Sequence, residues 1–228
     1  MNIYKYASPI NFYPVAGKMV PWFGIPAAIL FAAGLYVGFF VAPTDFQQGD
    51  AYRIIFIHVP AAWMGMMLYV LMAAYAGIGW AFNARLASMM ASSLSITGAM
   101  FTFLSLVTGS LWGKPTWGTW WVWDARMTST LILLFLYIGF ISLQSAIDDK
   151  RRGDRAGAVL ALVGVINVPI IYFSVNWWNT LHQGATIRLL NKPTMAPPML
   201  AAMFIMLGAC WLYSVAVVLA RLRCIILE

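Results

Sequence analysis

Trp112-Gly-Lys-Pro-Thr-Trp-Gly-Thr-Trp-Trp-Val-Trp-Asp-Ala-Arg-Met-Thr-Ser129 separates two long apolar runs of the chain. Five tryptophans fall between positions 112 and 123. An indole is large and costly to leave in water. Five in one connection must cover lipid headgroups, another protein or a flat ligand.

The flanking runs, 88–111 and 128–147, belong to a set of six; the others are 21–42, 58–82, 157–175 and 198–220. They approach or exceed the ~20 residues needed to cross a hydrocarbon core of about 30 Å. Of the 228 residues, 62% are hydrophobic and 9% charged, against about 25% charged in an average soluble domain. These features predict an all-α polytopic membrane protein, one integral membrane domain over 1–228, with six transmembrane helices. The first twenty residues hold Lys5, Pro9, Asn11, Pro14 and Lys18 and no long apolar run. A cleaved signal peptide is not expected, and the first helix is expected to serve as the targeting signal.

The net charge of +7 reads as loop charge facing the lipid bilayer, not as a nucleic-acid footprint. Cys210 and Cys224 form neither CxxC nor CxxCH, which disfavours dithiol chemistry and thioether haem attachment on this chain. No Walker A loop, nucleophile elbow or dinucleotide fingerprint is present.

Six crossings put both termini on one side. That side carries nine of the fourteen basic residues: Lys5, Lys18, Arg85, Lys150, Arg151, Arg152, Arg155, Arg221 and Arg223. The other carries Arg53, Lys114, Arg126, Arg188 and Lys192. The basic-rich side is expected to be cytoplasmic, with the run 148–155 as a solvated loop. The outer side then receives the connections 43–57, 112–127 and 176–197, and with them His58 and His182, the two histidines of the chain. Counting from the inner ends, His58 falls ~6 Å beyond the hydrocarbon boundary and His182 ~9 Å beyond it if the fifth helix continues. Pro60 suits a helix N-terminus, with His58 just before the first turn. Asn167 and Pro169 are expected to kink the fifth helix.

Two level imidazoles beside an aromatic shelf match the two axial positions of a haem iron. A porphyrin is a flat apolar plate with two carboxylates, and arginine recognises carboxylates bidentately. Arg126, Arg53 and Arg188 are candidates on that ground; plain loop solubility is the alternative for each. Pro115, Gly113 and Gly118 are expected to break the first half of the tryptophan stretch. A short amphipathic helix from Trp117 would put Trp117, Trp120, Trp121 and Asp124 on one face. Asp124 is open to three roles: orienting a donor, pairing with Arg126, or capping the next helix. Trp178 is open to two, a belt residue or a support one turn below His182.

The run WGKPTWGTWWVWDARMTS (112–129) resembles the tryptophan-rich "WWD" signature of haem-handling proteins of cytochrome c maturation. IIFIHVPAAW (54–63) and VNWWNTLHQGAT (175–186) flank it as in one branch of those proteins. Over nearly its full length the chain is similar to the CcmC, or haem exporter protein C, family. The resemblance implies a bacterial inner-membrane protein that binds haem b non-covalently and transiently at the periplasmic face. His58 and His182 would be the axial ligands. Trp112, Trp117, Trp120, Trp121, Trp123, Asp124 and Arg126 would cradle haem and meet the haem chaperone CcmE, which takes haem covalently on a histidine. It implies as partners the ABC-type subunits CcmA and CcmB and the small protein CcmD. The chain would be a transfer component and not a free-standing enzyme. A permease-like subunit would instead need polar groups at mid-depth, and the helices offer little beyond Thr102, Ser105 and Asn167. A purely structural subunit would dock a partner through its tryptophans and bind no pigment.

Overall fold

The computed structural model describes residues 7–178, 180–182 and 195–228, and among them it is helical, with no strand. In order come α1 (Pro9–Tyr36), α2 (Ile55–Phe82), α3 (Arg85–Trp117), α4 (Ala125–Ala146), α5 (Lys150–Gly164), α6 (Asn167–Trp177) and α7 (Pro197–Leu227). A π turn, Val37–Val41, closes α1, and a 3-10 turn, Asp50–Ile54, leads into α2. With α5 and α6 counted as one crossing, six segments are long and apolar enough to span a membrane, with mean hydropathy from 1.6 to 2.3. The chain is thus a multi-pass membrane protein. Hydrocarbon offers no water to a free N–H or C=O, so each crossing must satisfy its own backbone.

Several helix limits depart from the sequence expectation, each for a local reason. The first helix starts at Pro9, not at 21, because Pro9 takes a first-turn position where its missing N–H is harmless. Its added turns lie against α7, where the Arg223 guanidinium sits 4.4 Å over the Tyr13 ring and fills the space that Gly17 leaves open. The second helix is already wound at His58, since the Asp50–Ile54 turn starts the spiral and Pro60 falls inside it. The basic run is not a loop: Asp149 accepts from the N–H groups of Arg151 (2.9 Å) and Arg152 (3.1 Å), and α5 begins at Lys150. The expected kink is present. α5 stops at Gly164 and α6 starts at Asn167, with Pro169 unable to donate to the carbonyl of Val165.

α2 and α3 form a close antiparallel pair because small residues face each other. A Cβ on Gly65 would lie 2.6 Å from Thr102 Oγ1 and 3.3 Å from the Thr102 backbone. One on Gly79 would lie 3.0 Å from the backbone nitrogen of Ser88. Removing side chains lets two backbones approach, which matters in lipid, where the hydrophobic effect cannot press helices together. Tyr137 of α4 locks onto this pair: its hydroxyl donates to the Gly65 carbonyl at 2.8 Å, and its ring meets Tyr69 edge-on at 4.9 Å. The central core thus lies between α2, α3, α4 and α5, while α1 pairs chiefly with α7.

Antiparallel alternation brings the start of α2, the end of α3, the start of α4 and the end of α6 to one end of the bundle. Gly65→Val is expected to force α2 and α3 apart and cost about 1–3 kcal/mol through overpacking. Thermal unfolding in detergent would check this, and a midpoint equal to wild type would refute it.

Candidate functional site

His58 sits in the first turn of α2 against one face of α3. Its Nδ1 lies 3.0 Å from Thr108 Oγ1. A Cβ on Gly109 would come within 2.9 Å of its Cε1, so the absence of a side chain there makes room for the ring. Trp112, one turn further on, meets the imidazole edge-on at 5.8 Å. Trp112 is held in turn by its Nε1, which donates to Gln48 Oε1 at 2.8 Å. Gln48 belongs to a tight turn in which Asp45 Oδ1 accepts from the N–H groups of Gln47 and Gln48.

His182 lies outside any helix, because α6 ends at Trp177 and Trp178 is extended. A carboxylate fixes its position. Asp124 Oδ1 accepts from the N–H of Met127 at 2.7 Å and caps α4. Its Oδ2 accepts from His182 Nδ1 at 2.9 Å and from the Thr180 hydroxyl. Two of the roles left open for Asp124, capping and orienting a donor, are therefore filled together. Among the described residues it makes no ion pair with Arg126. The ring beside His182 is Trp117, edge-on at 4.8 Å, and not Trp178, which packs on Trp177.

Burial pushes the Asp124 carboxyl up, but the bonds from Met127, Thr180 and His182 outweigh it and hold the group below the usual carboxylate range. Burial lowers His182 below an ordinary imidazole, and the Asp124 bond and charge offset only part of that. At neutral pH the pair is an aspartate accepting from a neutral imidazole. The carboxylate accepts a hydrogen bond from Nδ1–H, so Nε2 of His182 carries the lone pair.

Both histidines face one hollow. A cavity of about 440 Å³ opens between α2, α3, α6 and α7, lined by His58, Trp112, Trp117, Arg126, Phe173 and His182 among others. A smaller space of about 50 Å³ continues inward past both rings to the hydroxyls of Thr102, Ser105 and Thr130. Apolar walls with a few convergent polar groups, in a volume of roughly 300–1,000 Å³, are typical of a small-molecule site. Arg126 is half-buried and lines both spaces; its Nη1 donates to the Ile171 carbonyl at 3.1 Å.

The tryptophan stretch divides in two. Its first half does not break: α3 runs through Gly113 and Pro115 to Trp117 and stops at Gly118, whose φ of 78° closes the helix with an N–H bond to Lys114 at 3.1 Å. The Thr116 hydroxyl donates to the Trp112 carbonyl at 2.7 Å, beside the gap that Pro115 leaves. The second half, expected to be a short amphipathic helix, is non-helical from 118 to 124. Trp112 and Trp117 therefore enter the cavity on a rigid rod. Trp120 and Trp123 point outward, 53% and 75% exposed, and Trp121 packs edge-on against Trp123 at 5.3 Å.

Arg53 does not line the cavity. Its Nη1 donates to the carbonyls of Gly38 (2.7 Å) and Ala42 (2.9 Å), and its Nε bonds Asp50, so it closes the end of the first crossing. Arg188 lies outside the described residues. The sequence reading missed Gln48, Thr108, Gly109 and Thr180. Helical spacing back from Trp112 through Gly109, Thr108 and Ser105 marks one face of α3 and would have found two of them; nothing local marks Gln48.

The family model described as "Heme exporter protein C" matches residues 2–228. Heme exporter protein C of Escherichia coli strain K12 is 46% identical over 227 residues, covering 99% of this chain and 91% of that protein. Its counterpart in Bradyrhizobium diazoefficiens is 44% identical over 225 residues, 98% of this chain and 84% of that protein. The Haemophilus influenzae protein of the same name is 45% identical over 203 residues, 89% of this chain and 82% of that protein.

Asp124 favours the charged form of His182, so Asp124→Asn should lower the pH at which this imidazole titrates. In a His58→Ala background, the pH midpoint for modification by diethyl pyrocarbonate should lie below about 6.5, the unperturbed imidazole value, and fall further in Asp124→Asn. A rise would contradict the pairing.

Proposed function

The chain belongs to the heme exporter protein C family, and from that membership and the site geometry we infer that it binds haem at the outer face of the inner membrane. We infer further that it presents haem to the periplasmic chaperone CcmE during c-type cytochrome maturation, in a complex with CcmA, CcmB and CcmD. Haem is cargo here, held non-covalently and passed on.

One observation carries the reading. Two imidazoles, each with Nδ1 engaged by a neighbouring side chain, line a single hollow walled by Trp112 and Trp117. Neutral imidazole nitrogens are axial ligands for haem iron, and hydrogen bonds at the far nitrogen fix ring orientation and raise basicity. The indoles offer apolar edges to a flat macrocycle. Arg126, which lines the cavity and has no carboxylate partner within ion-pair distance among the described residues, is a cation placed for a propionate.

The split of the tryptophans supports two tasks. Trp112 and Trp117 act on the cargo, while Trp120 and Trp123 offer exposed indole area to a partner. Tryptophan is favoured at binding hot spots because it is large, rigid and amphipathic. Transfer would then be catalysed by position, with the reacting edge of the cargo held facing the chaperone.

His58→Ala and His182→Ala should each strongly reduce the haem Soret absorbance of the purified protein. Asp124→Asn should weaken haem retention by about 10- to 100-fold. Trp120→Ala with Trp123→Ala should keep the Soret band yet reduce covalent loading of the chaperone. A colourless double tryptophan variant would overturn the division of labour, and unaltered haem content in both histidine variants would overturn the ligand assignment.

A further inference from the structure

The two histidines are supported by different chemistry. Behind His182 stands a buried carboxylate. Behind His58 stands the Thr108 hydroxyl, 3.0 Å from Nδ1. That hydroxyl has one proton and three neighbours. It lies 2.7 Å from the Leu104 carbonyl and 3.2 Å from the Ser105 carbonyl, both of which can only accept. Giving the proton to His58 would leave Oγ1 facing two carbonyl oxygens with lone pairs alone. The proton therefore goes to Leu104, and the free lone pair of Oγ1 accepts from Nδ1–H of His58.

We propose that Thr108 is the positioning residue for His58, fixing the imidazole as the Nδ1–H tautomer and directing its Nε2 lone pair to the cargo iron. The proposal rests on the haem reading above. Two further features seat the same ring: the bare Gly109 position leaves the space that Cε1 occupies, and the Trp112 edge lies against the imidazole one turn on. The two axial positions are thereby unequal. A carboxylate gives His182 more imidazolate character and makes it the firmer ligand, while a neutral hydroxyl leaves His58 the weaker donor. In a protein that must release its cargo, a weak ligand lets one side of the iron open before the other.

The test compares wild type, Thr108→Val and Thr108→Ser in the full chain purified with its partners. Two quantities are read: the rate of haem loss to an excess of a haem-scavenging globin, and the electron paramagnetic resonance of the ferric form. Valine keeps the volume and removes the acceptor. It should speed haem loss by about 10- to 100-fold and convert part of the low-spin signal to high spin. Serine keeps the acceptor and should restore both. In a His58→Ala background Thr108→Val should change neither, because the group it acts through is gone. Unchanged loss rate and spin state in Thr108→Val overturn the proposal. So does a serine variant as impaired as the valine one, or an equal effect without His58; both would make the residue a packing element. Wild-type protein lacking a Soret band would overturn the haem reading itself, and this assignment with it.

Discussion

A buried carboxylate with two acceptor oxygens governs this site. Asp124 sits where α4 begins, at 9% exposure, a depth at which an unpaired charge would be costly. It is tolerated because both oxygens are used: one on the free N–H of Met127 in the first turn of α4, the other on His182 and Thr180. Helix start and imidazole are thereby one unit. Residues 180–182 have no regular structure of their own, so this carboxylate, together with Trp117, sets where the imidazole stands. Weakening the cap would move the histidine, and weakening the histidine bond would leave the cap partly unsatisfied.

The bilayer imposes the second constraint. Helices that cannot be pressed together by water must fit by shape, and here they do so through glycines at 65 and 79 and through hydroxyls that bond their own helix. The same economy of side chains recurs beside the site. Gly109 admits the His58 ring as Gly65 admits α3. Close packing at Gly65 and the seating of the His58 ring at Gly109 are two uses of one α2–α3 contact.

How far these features could be read from the residues depends on range. Six apolar runs were legible because a crossing is a property of twenty neighbouring residues, and so was the placement of both histidines beside the tryptophans. The kink at Pro169 was legible because proline acts on its own helix. Helix ends were not. Pro115 reads as a breaker, yet near a C-terminus it removes a single bond, and Gly118 is the residue that ends α3. Arg53 reads as a carboxylate clamp by sequence proximity to His58, yet its reach of fifteen residues back to Gly38 closes the first crossing instead. The partners of the histidines come from 50 and 58 positions away, and such pairings carry no local signature.

The unbroken α3 has a consequence for how this chain tolerates change in length. Trp112 and Trp117 share one helical rod, so their angular relation is set by counting residues. One residue inserted between them would swing the second indole by about 100° about the axis and separate the edges that now flank the two imidazoles. Between Gly118 and Asp124, where no helix keeps the count, an added residue would lengthen a loop and leave both inner indoles in register. The stretch that looks uniform in composition thus has two grammars, one metric and one elastic, and drift in its length should accumulate only in the second.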